Sequence, residues 1–466
     1  MRFPDRSWRG AMERKETVDK FLQKGILLQP KALDKALKLP PDVVDRIISD
    51  LVARGVQIAG EEDLEPRAVP EEKPLAAQIE IVQEAPAPTS DSRIDYLRYF
   101  QNRFDRLAAL VRRKPTFEAS RSISEVKSGE TGPVATIGMI CDKAATSGGH
   151  MAFMIEDGTG RIRVFVPRNL PEIEIARKLV LDEVIGVQGS YDPGKKVLVA
   201  RGIVSPDIEE QKGALASQRV YAVFLSDLHF GSEDFMAGAF SAFVEWLQGR
   251  SGDPPLREIS RLTRYVVICG DLIQGGSQLL ERYTRLAGML RGIPQDVLIL
   301  AIPGEQDVAA MLEPQSGFLD EALKAFSDLR NFRPAGNPCW ARLGGVPVLL
   351  YHGRSLEDWA SSLGTEEPCE LLREIMVRRH MAPIYGSAVP LAPVGRDPFL
   401  IGEVPRIFQV GHTHRKCSSR YKGVLLLSSP SWKASEGERG AGTVYVVDLS
   451  SLESREINFG PGAKCA

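Results

Sequence analysis

Three rhythms of hydrophobic and polar residues divide the chain. From 14 to 58 apolar residues recur at three- and four-residue intervals, as in Val18, Phe21 and Leu22 and again in Val43, Val44, Ile47, Ile48, Leu51 and Val52. That period predicts short helices, and Pro40-Pro41 suits the start of the last one. Residues 1–60 therefore read as a small helical module. It is a docking bundle in preference to a DNA-reading helix-turn-helix, because no basic recognition face stands out. The same period returns from 94 to 113 in Leu97, Phe100, Phe104, Leu107 and Val111, and predicts a helix connecting 94–117. Arg98, Arg103, Arg106, Arg112 and Arg113 are expected on its solvated face. Between the two helical stretches, 61–93 holds five prolines, and up to residue 91 has nine acidic residues against Arg67 and Lys73. Such a composition buries too little apolar surface to offset chain entropy, which predicts a flexible acidic linker.

From 118 to 206 the period shortens to that of strands. Residues 134–141, 150–156, 161–166, 183–189 and 196–200 read as five strands, with a helical interruption near 171–180. Glu156-Asp157-Gly158-Thr159-Gly160 makes a hairpin turn. Five strands broken by one helix fit the small Greek-key barrel called the OB-fold. Only His150, Phe153 and Phe165 offer rings for stacking nucleic-acid bases, and strand alternation sends some of them inward.

The third rhythm starts at 220. Apolar blocks run without interruption and each stops at a Gly, Asp or His cluster: 220–226 at Asp227-Leu228-His229, 264–269 at Gly270-Asp271, 296–302 at Pro303-Gly304-Glu305-Gln306-Asp307, 346–351 at His352-Gly353, and 406–410 at Gly411-His412-Thr413-His414. Continuous apolar strands belong to sheets covered on both faces, and the loops at their carboxyl ends gather on one rim. Four of the six histidines fall in these loops. Asp227 and His229 share one side of an extended chain, as do His412 and His414. With Asp271 and His352 they give two carboxylates and four imidazoles, a mixed oxygen and nitrogen set that suits Mn, Fe, Zn or Co. With Asp271 bridging, two divalent ions can clamp a phosphate and activate water. Glycines 270, 353 and 411 allow the sharp turns beside them. His150 and His380 stand apart from this set and are expected at the surface or in support of it.

Composition narrows the classes. Lys and Arg total 59 against 61 Asp and Glu, a net charge of −2, so the chain is no polycationic nucleic-acid coat. Nine acidic against two basic residues make the linker −7, leaving the remainder mildly basic at +5. Hydrophobic residues at 43% and charged residues at 26% describe an ordinary globular chain. The absence of an apolar run of membrane length or of a signal peptide predicts no membrane contact and a cytoplasmic protein. Cysteines 141, 269, 339, 369, 417 and 465 make no C-x-x-C pair and are expected as buried or incidental thiols, against a zinc ribbon or disulfide scaffold.

The order D-x-H, G-D, a Gly-containing third loop, H-G and G-H-x-H is similar to the signature of the calcineurin-like metallophosphoesterases. The barrel ahead of it, "FLSDLHFGS", "IPGEQD" followed by Glu313-Pro314-Gln315, "YHGRS" and "GHTHR" resemble the small subunits of the archaeal family-D DNA polymerases, also called DNA polymerase II. The resemblance spans about 118 to 460 closely, and the first 117 residues in layout only. It implies a multidomain chain: an α/β metallophosphoesterase domain over 218–460, a two-sheet sandwich flanked by helices, preceded by an OB-fold β-barrel over 118–206 and the helical module. It implies a 3′-to-5′ exonuclease that proofreads single-stranded 3′ DNA ends for a large catalytic subunit, and leaves a sliding-clamp contact open. Carried over, Asp227, His229 and His414 hold one metal, His352 and His412 the other, and Asp271 bridges. Mn is the first choice, with Fe, Zn or Mg as alternatives. The third motif departs from the family pattern: Glu305 and Gln306 stand where active members have Asn and His, ahead of Asp307. Glu305 can still ligate, whereas Gln306 in the general-acid position has no titratable proton, a loss of about 10²- to 10⁴-fold. The alternative is therefore a weakened or inactive scaffold that joins the large subunit to replication partners. A free-standing phosphatase accounts for the metal motifs but gives no reason for the barrel.

Overall fold

The computed structural model describes residues 14–39, 43–44, 47–48, 51–52, 55–64, 77–83, 92–129, 132–213, 215–392, 394–435 and 440–460. The chain divides into two compact units, Met1–Pro74 and Leu75–Ala466.

The first unit contains the helices Arg14–Leu22 and Pro30–Ala36, with further helical residues at 43–44, 47–48 and 51–52. Its own core joins Phe21, Ile26, Ala32, Val44, Ile47, Leu51 and Leu64. Leu27–Leu28 and Ile58–Ala59 pair as two short parallel strands, which helical periodicity does not announce. Glu61–Leu64, expected in the linker, is instead a 3₁₀ turn whose Leu64 is buried in this core. Pro40-Pro41 lie outside the described residues.

In the second unit, Pro133–Ala145, Met151–Asp157, Gly160–Val166, Val184–Asp192 and Val197–Val204 close into a five-stranded barrel. Around it the strands follow the order first, second, third, fifth, fourth. The helix Glu172–Arg177 lies between the third and fourth. Alternation sends Phe153 into the barrel core and leaves Phe165 and His150 together outside, with ring centres 5.0 Å apart.

Two six-stranded sheets follow. In the first, Phe332–Pro334, Leu298–Ile302, Thr263–Cys269 and Tyr221–Leu225 run parallel, and Thr443–Asp448 and Ser454–Asn458 complete it antiparallel. In the second, Val346–Leu350, Ile407–Val410 and Val424–Ser428 run parallel between antiparallel neighbours. The sheets pack face to face through Phe224, Val267, Leu300, Val348, Ile407 and Leu427. Helices Ala237–Leu247 and Leu279–Leu290 cover the first sheet, and Leu356–Leu363 and Pro368–Arg378 the second. Apolar blocks covered on both faces thus build a four-layer sandwich. Among the described residues no helix is long and apolar enough to cross a membrane.

Three expectations are corrected. Within the predicted linker, Ile79–Gln83 is an edge strand of the second sheet, paired with Cys339–Leu343, and Ile79 and Ile81 pack on the inter-sheet core. Its alternation is only five residues long and is lost in an average over the Pro- and Glu-rich segment. Arg103, expected in solvent on the helix Ser92–Arg112, is fully buried. Its guanidinium donates to Asp397 at 2.8 Å, to the Pro383 carbonyl at 2.6 Å and to Tyr99 Oη at 3.1 Å. Those partners offset the cost of burying the charge. Finally, Cys369 and Cys417, expected as thiols, form a disulfide between the helix Pro368–Arg378 and the strand Cys417–Tyr421. They are 48 residues apart, and only the packing of helix on strand brings their Cα atoms to 5.5 Å.

Candidate metal centre

Five parallel strands end on one rim: Tyr221–Leu225, Thr263–Cys269, Leu298–Ile302, Val346–Leu350 and Ile407–Val410. Their loops are stitched together by the backbone. Asp227 N–H donates to the Gly270 carbonyl at 3.0 Å, His229 N–H to that of Asp271 at 3.0 Å, and Gly411 N–H to that of His352 at 2.8 Å. To aim their side chains inward, Asp227, His229, Asp271, His412 and His414 take left-handed backbone, with φ of 51°, 46°, 51°, 64° and 55°. Positive φ is uncommon for residues other than glycine, Asp and His being among those that adopt it most readily, and it also occurs away from the rim, at Asp182, Lys196, Gln278, Arg379, Lys422 and Leu452. Room at the centre depends on Gly304, where a Cβ would stand 2.2 Å from Asp271 Oδ1 and 2.7 Å from His352 Nε2.

The side chains converge in three overlapping sets: Asp227, His229 and His414; Glu305, His352 and His412; and Asp227, Asp271 and His352. His229 Nε2 and His414 Nε2 face each other at 3.0 Å, and lie 3.8 and 3.6 Å from Asp227 Oδ1. His352 Nε2 is 2.8 Å from Glu305 Oε2, and His412 Nδ1 is 2.9 Å from Glu305 Oε1. Asp271 spans the sets, with Oδ2 3.9 Å from His229 Nε2 and Oδ1 3.6 Å from His352 Nε2.

This donor set fits divalent cations. Ligands about 2.1 Å from one ion stand roughly 3.0 to 3.4 Å apart, close to the spacings observed. Asp227 Oδ1 and His352 Nε2 are buried without an aligned hydrogen bond. His352 Nδ1–H donates to the Cys269 carbonyl at 2.9 Å, which points Nε2 at the cluster, an orientation typical of metal-ligating histidines. The titrations reflect the concentrated negative charge. Burial disfavours charge on His352, but Asp271 and Glu305 outweigh it and raise its pKa well above the ordinary value. Burial likewise opposes ionisation of Glu305, and its contacts with His352 and His412 overcome it and hold the carboxylate well below the usual range. Burial alone dominates at His229 and lowers its pKa.

Seven of the nine residues anticipated from sequence meet in these sets; Gln306 and Asp307 do not. Gln306 contributes its backbone, whose N–H donates to Asp271 Oδ1 at 2.9 Å, while its side-chain oxygen accepts from Gly275 N–H at 3.3 Å. Asp307, expected among the catalytic groups, is turned beneath its loop. It accepts from Gly304 N–H at 2.9 Å, Leu272 N–H at 3.1 Å and Tyr283 Oη at 2.8 Å, so it shapes the loops around Asp271. Burial, with the charge of Asp271, pushes its pKa up to about 7. His380, expected at the surface or in support, is buried against Asp397 at 2.7 Å, apart from these sets. Sequence reasoning missed Glu357, whose Oε1 lies 3.0 Å from His412 Nε2, and Asn337, whose Oδ1 accepts from His352 N–H at 3.0 Å. Neither sits in a motif, and no local signal points to them.

The fold and site define a two-sheet sandwich that carries an Asp- and His-lined rim at the carboxyl ends of its parallel strands. The family of B subunits of the DNA polymerases alpha and epsilon matches residues 222–419. The DNA polymerase II small subunit of Archaeoglobus fulgidus is 32% identical over 388 residues, 79% of this chain and 77% of that one. Its counterpart in Methanothermobacter thermautotrophicus is 30% identical over 454 residues, covering 90% and 93%. That of Thermoplasma acidophilum is 30% identical over 446 residues, covering 91% and 87%. The chain belongs to the archaeal DNA polymerase II small subunits.

Proposed function

We propose that this chain carries a binuclear-metal 3′-to-5′ exonuclease site that proofreads for the large catalytic subunit of the polymerase. The observation that carries the proposal is the convergence of two three-residue sets on Asp271, which faces both. Asp227, His229 and His414 would hold one cation and Glu305, His352 and His412 the other. When bound, two divalent ions supply positive charge for phosphate oxygens and lower the pKa of water. The chain's own residues do the rest: the His352–Cys269 hydrogen bond fixes a ring, and the Gln306 N–H orients Asp271. Hydrolysis adds water across the bond between the last phosphorus and the preceding 3′ oxygen, releasing a nucleoside 5′-monophosphate and a strand with a new 3′-hydroxyl. The partners on this reading are the large subunit and single-stranded 3′ ends of DNA, with a sliding-clamp contact left open. The barrel of 118–206 is an OB-type platform, the metals are Mn first, and the compartment is the cytoplasm.

One observation favours the second reading, a weakened subunit that serves as a scaffold. The Gln306 amide is turned to the Gly275 backbone and offers no proton to a departing 3′ oxygen. Purified chain with Mn should shorten a labelled single strand from its 3′ end, and Asp271→Ala should abolish this. Shortening that persists in Asp271→Ala would sink the assignment. Gln306→His should raise the rate by about 10²-fold or more, and an unchanged rate would overturn this account of the third motif.

A further inference from the structure

Beside the cluster a cavity of about 850 Å³ opens between the helix Leu356–Leu363, the start of the helix Pro368–Arg378 and the turn carrying His412. The proposed hydrolysis makes no use of it. His412 and Thr413 form the end nearest the cluster, and Glu357, bonded to His412, stands at its rim. Leu356, Ala360 and Leu371 supply apolar surface, with hydroxyls from Ser361 and Thr365. The disulfide Cys369–Cys417 joins the helix bearing Leu371 to the strand just after Arg415, so the two walls are covalently tied.

Size and charge decide what fits. The volume lies within the roughly 300 to 1,000 Å³ of small-molecule sites and has room for one nucleoside. Glu357 and Glu366 line the cavity, and its arginine, Arg415, is engaged by Glu366 at 2.6 Å. A phosphate inside would meet carboxylates with no uncommitted lysine or arginine among the described lining residues. An uncharged nucleoside instead finds apolar surface for its base and hydroxyls for its edges.

We propose that this pocket receives the terminal nucleoside of a DNA strand, with its 3′-hydroxyl unphosphorylated, while the phosphate on its 5′ side lies at the metal centre. This rests on the phosphodiesterase reading of that centre. The pocket makes the site specific for a chain end, because a strand continuing past it would carry a phosphate onto Glu357 and Glu366.

Anisotropy of a 5′-fluorescein ten-residue oligothymidylate, titrated with full-length chain in calcium to prevent turnover, tests the pocket. The 3′-hydroxyl strand should bind about tenfold more tightly than the same strand ending in a 3′-phosphate. Ala360→Trp, which fills the cavity, and Ser361→Trp, at an exposed helix position, should each erase that preference, with Mn binding by calorimetry unchanged. Equal affinity for the two strands in the parent chain, or a preference that survives either tryptophan, would overturn the pocket. Loss of Mn binding in the parent chain would instead overturn the metal reading on which it rests.

Discussion

Backbone strain at the rim is a residue-scale cost that only the surrounding fold can sustain. Asp227, His229, Asp271, His412 and His414 each hold a left-handed φ that side-chain-bearing residues avoid. The strained loops are pinned by hydrogen bonds such as Asp227 Oδ2 accepting from His412 N–H at 3.0 Å. Gly304 shows how little space remains. An alanine there would drive its Cβ to 2.2 Å from Asp271 Oδ1. Gly304→Ala should therefore weaken Mn binding by about 10- to 100-fold, measured by calorimetry, with the far-ultraviolet circular dichroism unchanged. Retained Mn affinity would show that Asp271 and His352 have slack that the structure denies them. At this scale the Asp and His residues that converge on the rim were legible in sequence, because each closes an apolar block. Glu357 was not, since its approach to His412 is made by packing a helix beside the rim.

At the scale of elements, buried ion pairs do what periodicity cannot foretell. The helix Ser92–Arg112 falls where its apolar spacing places it, yet Arg103 is its most buried cation. It meets Asp397, which in turn accepts from His380 Nε2–H at 2.7 Å. Removing one member leaves an uncompensated charge in the interior. Arg103→Ala should cost about 3 to 5 kcal/mol, read from guanidinium unfolding, and a cost under about 1 kcal/mol would mean that the pair is solvated. His380 also carries a pH dependence. Its Nδ1 accepts from Ala382 N–H at 3.1 Å, so a second ring proton has nowhere to go. Burial, with Arg103 nearby, lowers its pKa from 6.5 to about 4. The unfolded chain then binds a proton that the folded chain refuses, and this contribution to stability is lost as pH falls from 6.5 toward about 4. His380→Gln should flatten the unfolding free energy across that window, and an unchanged slope would assign it to other groups.

At the scale of the whole molecule, the barrel and the sandwich share a buried boundary, whereas the first unit has its own core. Arg378 pairs with Glu183 of the barrel at 2.9 Å and bonds to the Lys178 carbonyl, and Arg103 reaches the Asp182 carbonyl at 3.3 Å. Every residue of the small core lies between Phe21 and Leu64. A chain lacking 1–74 should keep its Mn affinity and melt in one transition covering barrel and sandwich together. Two separate transitions in calorimetry would show that the boundary does not couple them. The sequence by itself determined the blocks, their order and the chemistry at their ends, because burial on both faces demands unbroken apolar runs and the polar residues that end them must lie at a rim. Tertiary structure alone decided that Asp271 lies between His229 and His352, that Asp307 turns away, that Arg103 is interior, that Ile79–Gln83 extends a sheet and that Cys369 meets Cys417. Each of those is a contact between positions far apart in the chain, and local periodicity reports only on which side of its own element a residue stands.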